Sequence, residues 1–173
     1  RKMTNQAADF GIEEALQKGS EIAKSCTIGV KIEAKNFITT TNATGSAVVV
    51  KKVENNDNTY TYTAITNRHV TGTLTSTERK VYLGNSIYVP ANLVAYDDDY
   101  DLAVIQFTTG YLLNVATINA ELPKVGSFAI AVGSPYDLEG FYNTVTIGSI
   151  SEVNRKYLDE DINGKEVVNS FIQ

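Results

Sequence analysis

An all-β barrel or sandwich behind one leading helix is the fold that this sequence predicts, and three observations carry it. After Ser25 the apolar spacing changes from a helical period to a period of two and does not change back. Ten Tyr with many Thr and Val, against three Pro, favour extended backbone. Turn clusters such as Glu54-Asn55-Asn56-Asp57-Asn58 cut the apolar stretches into short runs.

The elements follow in order. Residues 4–25 read as a helix, because Ile12, Ala15, Leu16, Gly19, Ile22 and Ala23 share one stripe. Asp9 suits its N-cap, with Glu13 and Glu14 in a first turn where the helix dipole favours acids. Residues 28–32 alternate as a half-buried strand does. Residues 45–53 and 60–66 are β-rich runs on either side of the Glu54 turn cluster. Residues 80–83 and 86–94 flank Gly84-Asn85, a hairpin signal. Residues 102–107, 128–132, 144–151 and 167–172 complete a set of roughly nine short strands, with no solenoid repeat.

Composition bounds the function. The chain has 173 residues, 43% apolar and 20% charged, as a globular domain does. A net charge of −5 argues against nucleic acid as a partner, since phosphate binding needs a basic surface. The longest apolar runs, 47–50 and 128–132, fall far short of the roughly 20 residues a membrane-spanning helix needs. No signal peptide is evident, and because the sequence starts at Arg1 an upstream anchor or signal stays open. A single cysteine, Cys26, excludes an internal disulfide; next to Thr27 and Ile28 it reads as a small core residue.

The chemistry centres on His69, the only histidine, in Thr66-Asn67-Arg68-His69-Val70 at the end of a strand. Asp101 opens the strand Leu102-Ala103-Val104-Ile105. A histidine and an aspartate delivered to a barrel rim by different strands supply two thirds of a Ser-His-Asp triad. Taken alone, a lone histidine is more often a satisfied surface residue. Asp97, Asp98, Asp99 and Asp101 alone would be a solvated acidic turn. A Ca²⁺ loop is the lesser alternative, since the spaced ligands and closing Glu of an EF-hand are missing.

Six segments in order change that balance: Gly45-Ser46-Ala47-Val48-Val49-Val50; Thr66 to Val70; Tyr100-Asp101-Leu102-Ala103-Val104-Ile105; residues 125–135, with Gly133-Ser134-Pro135; Thr144 to Ser151; and Phe171-Ile172-Gln173. Over residues 27–173 the series resembles the HtrA/Deg family of trypsin-like serine proteases. The resemblance implies a chymotrypsin-type double β-barrel with the active site between the barrels, His69 as general base and Asp101 as the residue that orients it. Arg68 receives no role.

It also divides the chain into a helical leader (1–26), a first barrel carrying His69 and Asp101 (27–110), a linker (111–124) and the first half of a second barrel (125–173). In the family Phe-Ile-Gln is followed within about ten residues by Gly-Asn-Ser-Gly-Gly, which supplies the nucleophile and the oxyanion hole. Ser134, Ser149, Ser151 and Ser170 lack a Gly-x-Ser-Gly setting. The expectation is therefore an incomplete second barrel of about three strands, a nucleophile beyond Gln173, and no activity from these residues alone.

Family resemblance further implies unfolded or misfolded protein substrates, no cofactor, a cell-envelope or extracellular location, and homotrimers formed through the N-terminal region. The alternative is a catalytically inactive peptide-binding or scaffold protein on a protease fold. Asn42-Ala43-Thr44 matches a glycosylation sequon, a short pattern that often occurs by chance.

Overall fold

A computed structural model describes residues 4–35, 40–72, 77–135, 137–160, 164 and 166–173. Helix α1 (Thr4–Ser25) precedes β1 (Thr27–Lys35), β2 (Thr40–Glu54), β3 (Tyr60–Asn67), a 3₁₀ turn (His69–Thr71), β4 (Thr77–Tyr82), β5 (Tyr88–Asp97) and β6 (Leu102–Thr109). After these come β7 (Phe128–Gly133), β8 (Thr144–Ser149), β9 (Arg155–Glu160) and β10 (Glu166–Phe171). Among the described residues no helix is long and apolar enough to cross a membrane.

Strands β1 to β6 close into an antiparallel barrel in the order β1-β2-β3-β6-β5-β4. Period-two patterning sets which side chains fill it: on β6, Ala103, Ile105 and Phe107 are buried while Gln106 and Thr108 face out. Ile28, Val30 and Ile32 of β1, Val49 of β2, Tyr62 and Ala64 of β3 and Val81 of β4 complete the core. The turns use the expected chemistry. Asp57 accepts from the backbone N–H and the hydroxyl of Thr59, at 3.2 and 2.6 Å, and Asn58 takes a left-handed φ of 61°. Gly84, Asn85 and Ser86 all have positive φ between β4 and β5.

The barrel is strapped by residues 111–116. The Tyr62 hydroxyl donates to the Tyr111 carbonyl (3.1 Å) and accepts from Leu113 N–H (2.8 Å). Val49 O accepts from Ala116 N–H at 2.8 Å, beside the bulge where the β2–β3 register shifts.

Strands β7–β8 and β9–β10 form two separate two-stranded sheets. The expected count of three strands in this region becomes four. Arg-Lys-Tyr-Leu-Asp-Glu (155–160) is too charged to show period-two patterning, and it is extended because β10 pairs along its whole length. The region docks on the barrel at a few points. Ser134 N–H donates to Ser46 Oγ at 2.8 Å, and Tyr142 stands edge-on to Tyr82 with ring centroids 5.0 Å apart. Leu138 is buried over Gly29, where a Cβ would come within 2.6 Å of its Cδ2.

Helix α1 spans the expected 4–25 but starts at Thr4, so Asp9 is interior to it and its first turn holds no acid. Gln6, Ala7 and Ala8 are good helix formers, and they carry the helix past the capping residue that was expected. Its stripe is only partly covered. Leu16, Gly19 and Ala23 are half-buried, with Gly19 against Ile130 of β7, while Ile12 and Ile22 are exposed.

Candidate active site

Two loops at one rim of the barrel meet through a ladder of short contacts. The first follows β3 and carries Asn67, Arg68 and the 3₁₀ turn that begins at His69; the second, residues 97–101, joins β5 to β6. Asn67 and Leu102 form the last rung of the β3–β6 pairing, so the next residues on each strand, Arg68 and Asp101, are brought together by register alone. Arg68 N–H donates to Asp101 O at 3.0 Å. Asn67 Nδ2 donates to Asp101 O and to Asp101 Oδ2, both at 3.1 Å.

The Asp101 carboxylate then grips His69 twice. Oδ1 accepts from the His69 backbone N–H at 2.8 Å, and Oδ2 lies 2.6 Å from Nδ1 of the ring. An ionised carboxylate can only accept, so this contact calls for a proton on Nδ1, and in the neutral ring that tautomer puts the free lone pair on Nε2. The His69 side chain is 64% exposed and that of Asp101 36%, so Nε2 is open to an incoming group. Asp101 adopts a left-handed φ of 51°, uncommon for a residue with a Cβ but best tolerated by Asn and Asp. Its carbonyl, bonded by Arg68 N–H and Asn67 Nδ2, and its carboxylate, bonded by His69 N–H, hold that conformation.

The acidic loop is more than a plain solvated turn. Asp97 Oδ1 accepts from the N–H groups of Asp99 and Tyr100, shaping the turn. Asp98 Oδ1 accepts from Nε of Arg68 at 2.8 Å. Among the described residues no group of three or more His, Cys, Asp or Glu could hold a metal ion. Arg68 is the residue that sequence reasoning passed over. Its side chain is buried, and its guanidinium also donates to Thr71 Oγ1 (3.1 Å) and Gly72 O (2.9 Å) while stacking 4.1 Å from the centre of the Tyr96 ring. The one available signal was a lone cation beside His69 and a surplus of acids at 97–99.

Among the described residues, none of the other groups considered as nucleophiles is hydrogen-bonded to this pair. Ser134 is buried, its Oγ accepting from Asn143 N–H at 3.3 Å, and Ser149 and Ser151 are exposed. Ser170 lies on β10, and its side chain is outside the described residues. Cys26 is buried under the end of α1, with Sγ donating to the carbonyls of Ile22 (3.4 Å) and Ala23 (3.3 Å). Burial pushes its thiol up, away from the thiolate a nucleophile requires.

A barrel of this order with histidine and aspartate paired at its rim defines a class, the trypsin-like peptidases. The family model described as "Trypsin-like peptidase domain" matches residues 45–170. The chain is 30% identical, over its whole length, to the Serine protease Do-like HtrA of Lactococcus lactis subsp. lactis (strain IL1403), and spans 38% of that protein. It is 36% identical to the Probable periplasmic serine endoprotease DegP-like of Chlamydia pneumoniae, over 54% of this chain and 18% of that one. With the Periplasmic pH-dependent serine endoprotease DegQ of Escherichia coli (strain K12) it shares 30% identity, over 63% of this chain and 22% of the relative. The chain belongs to the HtrA/Deg family of trypsin-like serine proteases.

Proposed function

We propose that the chain carries the histidine and aspartate of a serine endopeptidase, with His69 as general base and acid and Asp101 as the group that orients it. Asp101 fixes the Nδ1–H tautomer, so Nε2 can take the proton of a serine hydroxyl as it attacks a peptide carbonyl. The same nitrogen returns that proton to the leaving amine, and the carboxylate stabilises the imidazolium formed between the two steps. No serine of these 173 residues stands in a Gly-x-Ser-Gly setting, and the nucleophile and the oxyanion hole are assigned to none of them. Residues 27–110 act as the first barrel, 111–124 as the linker and 125–173 as part of the second. Substrates are unfolded or misfolded proteins and the assembly is a homotrimer, both as the family resemblance implies; the setting is the cell envelope, which the periplasmic names of two relatives support.

The 2.6 Å contact between Nδ1 of the single histidine and Asp101 Oδ2 carries the reading. Its test is His69→Ala in the protein that contains this chain together with the family's Gly-Asn-Ser-Gly-Gly segment. Loss of the base should cut turnover of an unfolded protein substrate by roughly a millionfold, as removal of a triad histidine does. The melting temperature should scarcely move, since the side chain is largely exposed. Turnover retained in a folded variant would overturn the assignment.

A further inference from the structure

Beside the His69–Asp101 contact runs a second tie between the same two loops, one residue earlier on the first loop and three residues earlier on the second. Arg68 lies between β3 and His69, and its side chain is 8% exposed, against 34% for Asp98 and 64% for His69. One guanidinium makes four contacts of different kinds. Nε reaches Asp98 Oδ1 (2.8 Å), Nη1 reaches Thr71 Oγ1 (3.1 Å) and Gly72 O (2.9 Å), and the plane lies over Tyr96 (4.1 Å). Thr71, fully buried, returns its hydroxyl to Arg68 O at 2.8 Å. A second arginine, Arg79 of β4, closes the far side, with Nε on Thr71 O (2.7 Å) and Nη2 on Gly72 O (3.3 Å). Residues 69–72 are thus pinned from the inside, at the end of the turn away from the imidazole.

We propose that Arg68 is a positioning residue: through Asp98 it locks the His69–Gly72 turn against the 97–101 loop and so fixes the imidazole on Asp101. The exposed His69–Asp101 contact has little packing to hold it. A 2.6 Å hydrogen bond needs both loops placed to within a fraction of an ångström. A planar fork that bonds to both loops at once supplies that constraint; lysine, a point charge on a flexible stem, does not. The Arg68 guanidinium reaches Asp98, Thr71, Gly72 and Tyr96 and not the imidazole, so its effect passes through the turn that carries the histidine.

The proposal rests on His69 being the general base, and the test keeps the two apart. His69 is the only histidine of these 173 residues, and in the nucleophile-containing protein its ring nitrogens are assigned in a two-bond ¹H–¹⁵N spectrum as the signals that His69→Ala removes. Arg68→Met, Arg68→Lys and Asp98→Asn are compared with the parent by that spectrum, by melting temperature, and by kcat and KM on a fluorescent unfolded substrate in the nucleophile-containing protein. Expected are a shift of His69 away from the Nδ1–H tautomer and a fall in kcat of between about ten- and a hundredfold, with KM changed less than about twofold, in Arg68→Met. Arg68→Lys should recover only part of this. Asp98 is partly exposed, so Asp98→Asn should fold normally and reproduce the tautomer shift in milder form.

A folded Arg68→Met with an unchanged tautomer and unchanged kcat would overturn the proposal. If Arg68→Met does not fold, an Asp98→Asn protein with unchanged tautomer and kcat overturns it instead. Should His69→Ala remain active, the catalytic reading fails while the spectrum still decides whether Arg68 sets the His69–Asp101 contact.

Discussion

At Asp101 a single residue does three things at once: it turns the chain with a left-handed φ, accepts a backbone N–H, and holds the imidazole. Asn tolerates the same φ, so Asp101→Asn should leave the turn intact while its amide can donate to Nδ1 and favour the wrong tautomer. The expected result is a fall in kcat on the order of 10⁴-fold with a melting temperature close to that of the parent. A loss below about tenfold would mean that tautomer control is not what Asp101 contributes. His69 and Asp101 stood out in the sequence as the lone histidine at a strand end and an aspartate opening an apolar strand, and the ordered family segments singled them out as a pair. The Arg68–Asp98 pair did not stand out, since a charge pair between two loops leaves no spacing to read. Its partners are fixed only once β3 and β6 are in register.

Among elements, β2 packs its Gly45 against the residue that follows the histidine. A Cβ at Gly45 would lie 2.5 Å from Val70 Cγ1 and 2.8 Å from Cγ2, and a β-branched side chain has little rotamer freedom with which to yield. Gly45→Ala should therefore cost about 1–3 kcal/mol in urea unfolding and displace the turn that carries His69. Trimming the obstacle should restore much of the loss, so Gly45→Ala/Val70→Ala should be more stable than the sum of the two single changes; strict additivity would show that the clash is relieved elsewhere. The β-rich runs were readable because apolar alternation survives in them. Strand β9 was hidden by its charges, and the N-cap of α1 was misassigned, although its span was not, because Asp9 looks like a cap while Gln6 to Ala8 are helical before it.

For the molecule as a whole, burial is unevenly shared. Strands β1 to β6 form one closed ring around Ile28, Val49, Tyr62 and Ile105, whereas Phe128 of β7, Ile147 of β8 and Leu158 of β9 are exposed on two-stranded sheets. A lone two-stranded sheet is marginal in water. Amide exchange in this chain should therefore be slowest in β1 to β6 and faster in β7 to β10. Equal protection in both would contradict the division into a self-sufficient first barrel and a second region that needs more partners. The strand inventory alone implied a barrel or a sandwich; the first barrel was expected from the family resemblance, because no local pattern records that β1 and β4 meet.

The position of the His69–Asp101 pair just past the final rung of the β3–β6 ladder also bears on how the protein comes to life. That ladder joins Tyr60 to Thr109 at its other end and is a non-local pairing of the kind that forms slowly, on a scale of roughly milliseconds to seconds. Until it is complete, nothing brings the aspartate to the ring. On the proposed reading, a newly made or partly unfolded chain is therefore without its oriented base during the interval when its own loose segments are most open to cleavage.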